Sequence, residues 1–101
     1  MVPRFSVSDF LAVVNQSLEM AFGAIEIEGE VASYKVNHQK YVFFDLKDET
    51  GSVSCFMTVW QVRTPIEDGM RVIVRAMPKV TGWGKFSLTV AAIKPVGEGS
   101  L

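Results

Sequence analysis

The sequence predicts an all-β domain, a five-stranded Greek-key barrel preceded by one N-terminal α-helix. Three observations predict this fold: helical spacing of apolar residues near the N-terminus, two-residue periodicity in five later runs, and turn-forming residues between the runs. The chain has 101 residues, 49% apolar and 21% charged, which is typical of one globular domain. Disorder is excluded by this composition. A transmembrane helix is excluded because no apolar stretch approaches the roughly 18 to 20 residues that it requires.

The helical pattern covers residues 6–22. Its apolar stripe has spacings of three and four and consists of Val7, Phe10, Leu11, Val14, Leu18, Ala21 and Phe22. Ser6 with Asp9 resembles a capping box, and Gly23 stands where a C-terminal cap belongs. We expect residues 1–24 to form a helical segment packed on the barrel.

The first strand follows Gly23, where the period changes to two. The apolar positions are Ile25, Ile27, Gly29 and Val31, and they alternate with three glutamates. This alternation predicts one buried face and one acidic, solvated face. Gly29 interrupts the apolar row and predicts a bend or bulge at that point.

Four further strand-like runs cover residues 40–47, 52–60, 70–80 and 85–95. Residues 48–51 form a predicted hairpin turn, and residues 81–84 connect the last two strands. The longer connection before residue 70 leaves room for a crossover or one helical turn. This order predicts a barrel of the oligonucleotide/oligosaccharide-binding (OB) kind over residues 25–95. Residues 96–101 have the composition of a linker.

The alternation also assigns the faces of the second and third strands. The predicted inner residues are Val42, Phe44, Leu46, Val53, Cys55, Met57 and Val59. The outer face then carries the aromatic residues Tyr41, Phe43, Phe56 and Trp60. Exposed apolar patches of this size require an explanation. The rings either stack on nucleic-acid bases or are covered by the helix or a neighbouring domain, unless the face assignment is wrong by one residue.

Basic residues in the flanking segments favour the first explanation. The net charge is −1, but residues 69–97 carry five basic residues and no acid. The candidate stacking residues are Tyr41, Phe43, Phe56 and Trp83. The candidate phosphate contacts are Lys35, Lys40, Lys47, Arg75, Lys79 and Lys85. The alternatives are that Trp83 packs on the end of the barrel and that the basic residues are ordinary solvated side chains.

Catalytic and metal-binding patterns are not found in the sequence. One cysteine, Cys55, and one histidine, His38, cannot form an intrachain disulfide or a structural zinc site. No paired carboxylates or nucleophile elbow occur. We therefore expect no catalytic residue, metal or cofactor in this domain.

The N-terminus has no secretory pattern, which predicts a cytoplasmic protein.

Five segments carry a family resemblance, and they read FSVSDF, IEIEGEVASYKV, YVFFDLKDETGSVSCFM, EDGMRVIVRAMPKV and FSLTVAAIKPVGEGSL. Together they resemble the N-terminal OB domain of the exonuclease VII large subunit over nearly the whole chain. The resemblance implies that the domain binds single-stranded DNA and feeds a separate nuclease domain beyond the linker. It also implies that the full-length protein is an exodeoxyribonuclease and associates with a small subunit through that later part.

Two alternatives and two departures accompany this resemblance. The first strand and LKDETG also resemble the anticodon-binding OB domain of class II aminoacyl-tRNA synthetases, and the aromatic face also suits a protein-interaction module. The chain departs from the family at residues 36–40, before the second strand, and at residues 56–63, where it has fewer arginines. These departures imply weaker electrostatic binding than the family pattern suggests. Because its charge is modest, we expect the isolated domain to bind no better than the usual non-specific range of about 10⁻⁴ to 10⁻⁶ M.

Overall fold

The structure is a computed structural model that describes residues 1–97. Helix α1 covers Val7–Phe22, and the five strands are β1 (Ile25–Asn37), β2 (Tyr41–Lys47), β3 (Ser52–Thr58), β4 (Arg71–Val80) and β5 (Phe86–Pro95). A short 3₁₀ helix, Val59–Gln61, follows β3. The strands close a barrel in the order β1-β2-β3-β5-β4. The predicted five-stranded barrel with an N-terminal helix is confirmed. Of the predicted linker, residues 98–101 lie outside the described part of the chain.

Closure of the barrel depends on one parallel pairing. Cys55 and Phe56 of β3 pair with Leu88 and Thr89 of β5. The other strand pairs are antiparallel. Antiparallel neighbours that follow each other need only short turns, whereas parallel strands need a crossover. The crossover here contains β4, which pairs with β1 on one side and with β5 on the other.

The barrel interior is filled mainly by alternate residues of the strands, together with Ile66 from the connection between β3 and β4. The buried core consists of Val31, Val42, Phe44, Leu46, Cys55, Met57, Ile66, Val72, Val74, Ala76, Leu88, Val90 and Ile93. The predicted inner row of β2 is confirmed, as are Cys55 and Met57 of β3. Val53 and Val59 are only half-buried and pack against this core.

The third strand ends earlier than the sequence predicts. Both the amide and the hydroxyl of Thr58 donate hydrogen bonds to Gln61 Oε1, at 2.8 and 3.2 Å. These bonds cap the 3₁₀ helix and turn the chain out of the sheet. Trp60 therefore lies in this helix instead of on β3, and its side chain is 68% exposed.

Gly29 has a different role from the predicted bulge. The pairing of β1 with β4 runs without a shift from Ile25 to Glu30, so of the predicted bend or bulge at Gly29, the bulge is wrong. A Cβ atom at this position would lie 2.9 Å from both Leu46 Cγ and the Lys47 carbonyl oxygen. Glycine is needed here because β2 approaches closely. The bulge of β1 lies later, between Ala32 and Lys35.

Helix α1 is capped as predicted and lies against β4. Ser6 Oγ accepts a hydrogen bond from the Asp9 amide at 3.0 Å, and the Gly23 amide donates to the Glu19 carbonyl at 2.9 Å. The apolar stripe is only partly covered, because Leu11 is half-buried whereas Phe10 is exposed. Within the described residues, neither α1 nor the 3₁₀ helix is long and apolar enough to cross a membrane.

Candidate nucleic-acid interface

Three aromatic side chains form a contiguous row on the outer face of β2 and β3. Phe43 is opposite Phe56 in the ladder, and their ring centroids are 5.3 Å apart. The Tyr41 centroid lies 5.9 Å from that of Phe56, so Phe56 is in contact with both other rings. All three are half-buried. Lys40 Nζ lies 5.2 Å from the Tyr41 centroid, within cation–π distance.

A groove of about 500 Å³ lies beside this aromatic row. Its lining residues come from β1, β2, β3 and the β4–β5 connection, and they are Ser33, Lys35, Asn37, Phe43, Phe44, Asp45, Ser54, Cys55 and Lys85. The β1 bulge shapes this groove, since Ser33 adopts a left-handed conformation with φ of 55°. Phe43 belongs to both the row and the groove. The structure therefore places two basic residues, Lys35 and Lys85, in a groove that borders the aromatic row.

The tip of the β4–β5 connection is held by a network centred on Thr81. The Thr81 amide donates to the Lys85 carbonyl at 2.9 Å, and its hydroxyl accepts from the amides of Trp83 and Lys85 at 3.3 and 3.2 Å. Trp83 is 94% exposed at this tip, so it does not pack on the end of the barrel. An exposed indole on an ordered turn is available for contact with a base.

Three of the predicted phosphate contacts lie away from the groove. Arg75 Nη2 is 3.3 Å from Glu26 Oε2, on the surface of β1 and β4. Lys47 lies at the far end of β2, opposite Glu30 in the ladder. Lys79 lines a separate cavity between β4 and α1. The structure thus brings Lys35 and Lys85 to the groove and Lys40 to the aromatic row, but not these three.

Sequence reasoning missed four polar residues of the groove: Ser33, Asn37, Asp45 and Ser54. Alternation alone already placed Asp45 and Ser54 on the outer face. No sequence pattern pointed to Ser33. A positive φ is often indicated by a glycine, and serine gives no such indication. Asp45 and Ser54 face each other across the β2–β3 ladder, and Ser54 Oγ lies 3.5 Å from Asp45 Oδ1.

Cys55 lines the groove, but its thiol is not activated as a nucleophile. Burial, with a smaller contribution from the Asp45 charge, raises the pKa of the Cys55 thiol to about 12. The thiol therefore stays protonated at neutral pH, when it is a poor nucleophile. The Cys55 side chain therefore packs in the core and has no role as a nucleophile.

Among solved structures, the fold is similar to a replication protein A heterotrimer bound to ssDNA. That similarity has a TM-score of 0.62 at 18% identity and covers 72% of this chain and 57% of that one. It is also similar to asparaginyl-tRNA synthetase from Pyrococcus horikoshii, with a TM-score of 0.59 at 18% identity, covering 72% of this chain and 19% of that one. At these identities the comparisons show a shared fold.

Sequence comparison confirms the predicted resemblance. The chain is 30% identical over 104 residues to the exodeoxyribonuclease 7 large subunit of Rickettsia canadensis (strain McKiel), covering 97% of this chain and 23% of that protein. It is 31% identical over 109 residues to the same subunit of Bartonella quintana (strain Toulouse), covering 99% of this chain and 22% of that protein. The chain thus spans less than a quarter of the length of these relatives. Residues 5–94 match the family of OB-fold nucleic acid binding domains. The chain belongs to this family of OB-fold nucleic acid binding domains.

Proposed function

We propose that this domain binds single-stranded DNA across the outer face of β2 and β3. The observation that carries the proposal is the row of Tyr41, Phe56 and Phe43 next to a groove with two lysines. Aromatic rings stack on the faces of unpaired bases, at about 1 to 3 kcal/mol per base. A duplex hides those faces in its own stack. The row therefore favours a single strand over a double strand.

The charges near the row supply the contacts to the backbone. Lys35 and Lys85 line the groove, Lys40 lies over the Tyr41 ring, and Trp83 extends from the β4–β5 tip. With so few cations and a net charge of −1, we expect the isolated domain to bind weakly. The expected Kd is in the non-specific range of about 10⁻⁴ to 10⁻⁶ M, and it increases with salt.

In a longer protein, this domain would serve as a module that delivers its strand to a separate catalytic domain. The relatives are named exodeoxyribonuclease 7 large subunits, and this chain corresponds to 22–23% of their length. We propose that hydrolysis and association with a small subunit belong to the remainder of such a protein. Weak binding by the domain is sufficient there, because tethering raises the effective concentration of the strand at the catalytic domain.

Fluorescence anisotropy tests the proposal with a labelled 12-nucleotide single strand, the matching duplex, a single-stranded RNA of the same sequence and a transfer RNA. The Phe43→Ala, Phe56→Ala double variant removes two rings of the row. A matched control, Phe10→Ala, Phe22→Ala, removes two rings from α1, both of which are exposed. We expect the first variant to weaken single-strand binding at least about tenfold. The control is expected to bind like the original chain.

Three outcomes contradict the proposal. Equal affinity of the Phe43→Ala, Phe56→Ala variant and the control shows that the aromatic row does not bind the strand. A preference for transfer RNA favours the anticodon-binding alternative. No binding of any nucleic acid at low salt, together with self-association in sedimentation, identifies the aromatic face as a protein interface. Thermal unfolding of each variant shows whether a loss of binding reflects a loss of fold.

A further inference from the structure

An acidic side chain lies among the lysines of the groove. Among the described residues that line it, Asp45 has the one carboxyl group, whereas Lys35 and Lys85 are basic. A carboxylate repels the phosphates of a bound strand, so at this position it opposes binding of the backbone. Its position therefore suits a contact with a different part of the nucleic acid.

Asp45 is placed to meet a base. It lies two residues after Phe43 on β2, and residues at this spacing point to the same face about 7 Å apart. Its half-buried side chain has Ser54 opposite it on β3 and the small Ala32 opposite it on β1. The Ser54 hydroxyl donates a long hydrogen bond of 3.5 Å to Asp45 Oδ1, and each carboxylate oxygen can still accept another. A base stacked on Phe43 would therefore extend its edge toward the carboxylate, while its phosphate remains near the exposed lysines.

The chemistry of the carboxylate selects among the bases. An ionised carboxylate has two acceptor oxygens and no donor. The Watson–Crick edge of guanine has two adjacent donors, N1–H and the N2 amino group, which match both oxygens. Cytosine and adenine place an acceptor nitrogen beside their single amino donor, and thymine has its N3–H between two carbonyl oxygens. Guanine alone can make two hydrogen bonds without repulsion.

We propose that Asp45 is a specificity-determining residue that binds the Watson–Crick edge of an unpaired guanine stacked on Phe43. This inference rests on the proposed function, because it requires a single strand in the groove. A carboxylate that accepts two charge-assisted hydrogen bonds is a strong and directional partner. It would make the domain prefer guanine-containing single strands, although the lysines bind any sequence.

Competition binding with three 12-nucleotide strands tests this inference. One strand contains thymine only, the second has three dispersed guanines, and the third has hypoxanthine in place of each guanine. Hypoxanthine keeps the ring and N1–H but lacks the N2 amino group, so it changes the ligand and leaves the protein intact. The protein variants are Asp45→Asn and, as the control, Glu49→Gln, which removes the same charge from the exposed β2–β3 turn.

We expect the original chain and Glu49→Gln to bind the guanine strand at least about fivefold more tightly than the thymine strand. Hypoxanthine and Asp45→Asn should each remove most of this difference, and Asp45→Asn should bind the thymine strand more tightly than the original chain. Equal affinity for the guanine and hypoxanthine strands overturns the inference but leaves single-strand binding in place. Failure of all three strands to bind overturns the proposed function and this inference together.

Discussion

The side-chain amide of Asn15 makes two hydrogen bonds with the backbone of Val80. Nδ2 donates to the Val80 carbonyl at 2.9 Å, and Oδ1 accepts from the Val80 amide at 2.7 Å. Strand β1 pairs with β4 only as far as Ala76, so beyond that residue β4 has β5 on one side and no strand on the side that β1 occupies earlier. Asn15 takes the place of the missing strand and satisfies both polar groups of Val80. The same contact fixes helix α1 on the barrel.

Replacing Asn15 with alanine should release this contact. We expect Asn15→Ala to lower the free energy of unfolding by about 1 to 3 kcal/mol, because two partly buried backbone groups lose their partner. Urea denaturation followed by circular dichroism measures this change. Ser17→Ala, an exposed position on the same helix, is the control and should stay within about 0.5 kcal/mol of the original chain. An equal effect of both substitutions would show that the amide does not hold the helix.

Gly29 should not tolerate even one additional methyl group. In Gly29→Ala the new Cβ would lie 2.9 Å from Leu46 Cγ and from the Lys47 carbonyl oxygen. The carbonyl oxygen has little freedom to move, because it belongs to the backbone of a paired strand. We expect a loss of about 1 to 3 kcal/mol in the free energy of unfolding. Gly82→Ala is the matched control, since a Cβ atom there would have no neighbouring atom within 4 Å. A thermal unfolding midpoint that does not change in Gly29→Ala would contradict the close approach of β2.

The salt dependence of binding should distinguish the lysines of the groove from other basic residues. Each phosphate contact to a single strand contributes about −0.7 to the slope of log K against log salt. We therefore expect Lys35→Ala, Lys85→Ala to make the slope less negative by up to about 1.4. Lys47→Ala, Lys79→Ala removes the same charge outside the groove and should change the slope less. A larger change in this second variant would place the strand elsewhere on the barrel.

The thiol of Cys55 should be unreactive in the folded protein. Its pKa is raised to about 12 by burial, so at pH 8 the folded chain contains almost no thiolate. We expect Ellman's reagent to react at least about 100-fold more slowly with the native protein than with the chain in 6 M guanidinium, where the thiol pKa is about 8.5. Fast modification in the native state would show that the barrel opens near β3.

The same pKa shift has a consequence for stability at high pH. The thiol pKa is higher in the folded state than in the unfolded state. Its contribution to the free energy of unfolding is therefore fully present below the unfolded pKa and is lost as the pH increases toward about 12. Between pH 8 and 11, the original chain should lose more stability than Cys55→Ala. Parallel pH profiles of the two proteins in urea denaturation would be inconsistent with a buried, neutral thiol.

Asp48 should stabilise the β2–β3 turn in a pH-dependent way. Its Oδ1 accepts hydrogen bonds from the amides of Thr50 and Gly51, at 3.0 and 2.9 Å, and these bonds lower the pKa of the Asp48 carboxyl group. A lowered folded pKa stabilises the fold above the unfolded pKa of about 3.9, and this contribution is lost as the pH falls through the folded value. The stability difference between the original chain and Asp48→Asn should therefore decrease from pH 6 to pH 2.

Glu49→Gln is the control for the turn, because the two amides donate to Asp48 and not to its neighbour. Its stability difference from the original chain should vary less over the same pH range. The measurement is urea denaturation at four pH values. A difference for Asp48→Asn that is constant with pH would show that the charge of Asp48 has no part in the turn.

The helix, the strands and the buried rows could be predicted because they depend on local properties of the chain. Ser6 and Gly23 cap α1 through atoms only a few residues away. Phe44 is buried and Phe43 is on the outer face because successive side chains of a strand point to opposite sides. For the same reason the aromatic row of Tyr41, Phe43 and Phe56 could be predicted before the strands were placed in a barrel.

Tertiary structure decided which outer residues meet. Lys85 reaches the groove of Phe43 because β3 and β5 pair in parallel, more than 30 residues apart along the chain, and this closure has no local pattern. The packing of α1 on β4 leaves Lys79 beside the helix, and the pairing of β1 with β4 brings Arg75 to Glu26. The sequence marks Gly29 as an interruption of the apolar row, but the atoms that require glycine there belong to Leu46 and Lys47 of β2. The period of a strand determines a side chain's face, whereas strand order and register determine its neighbours across that face.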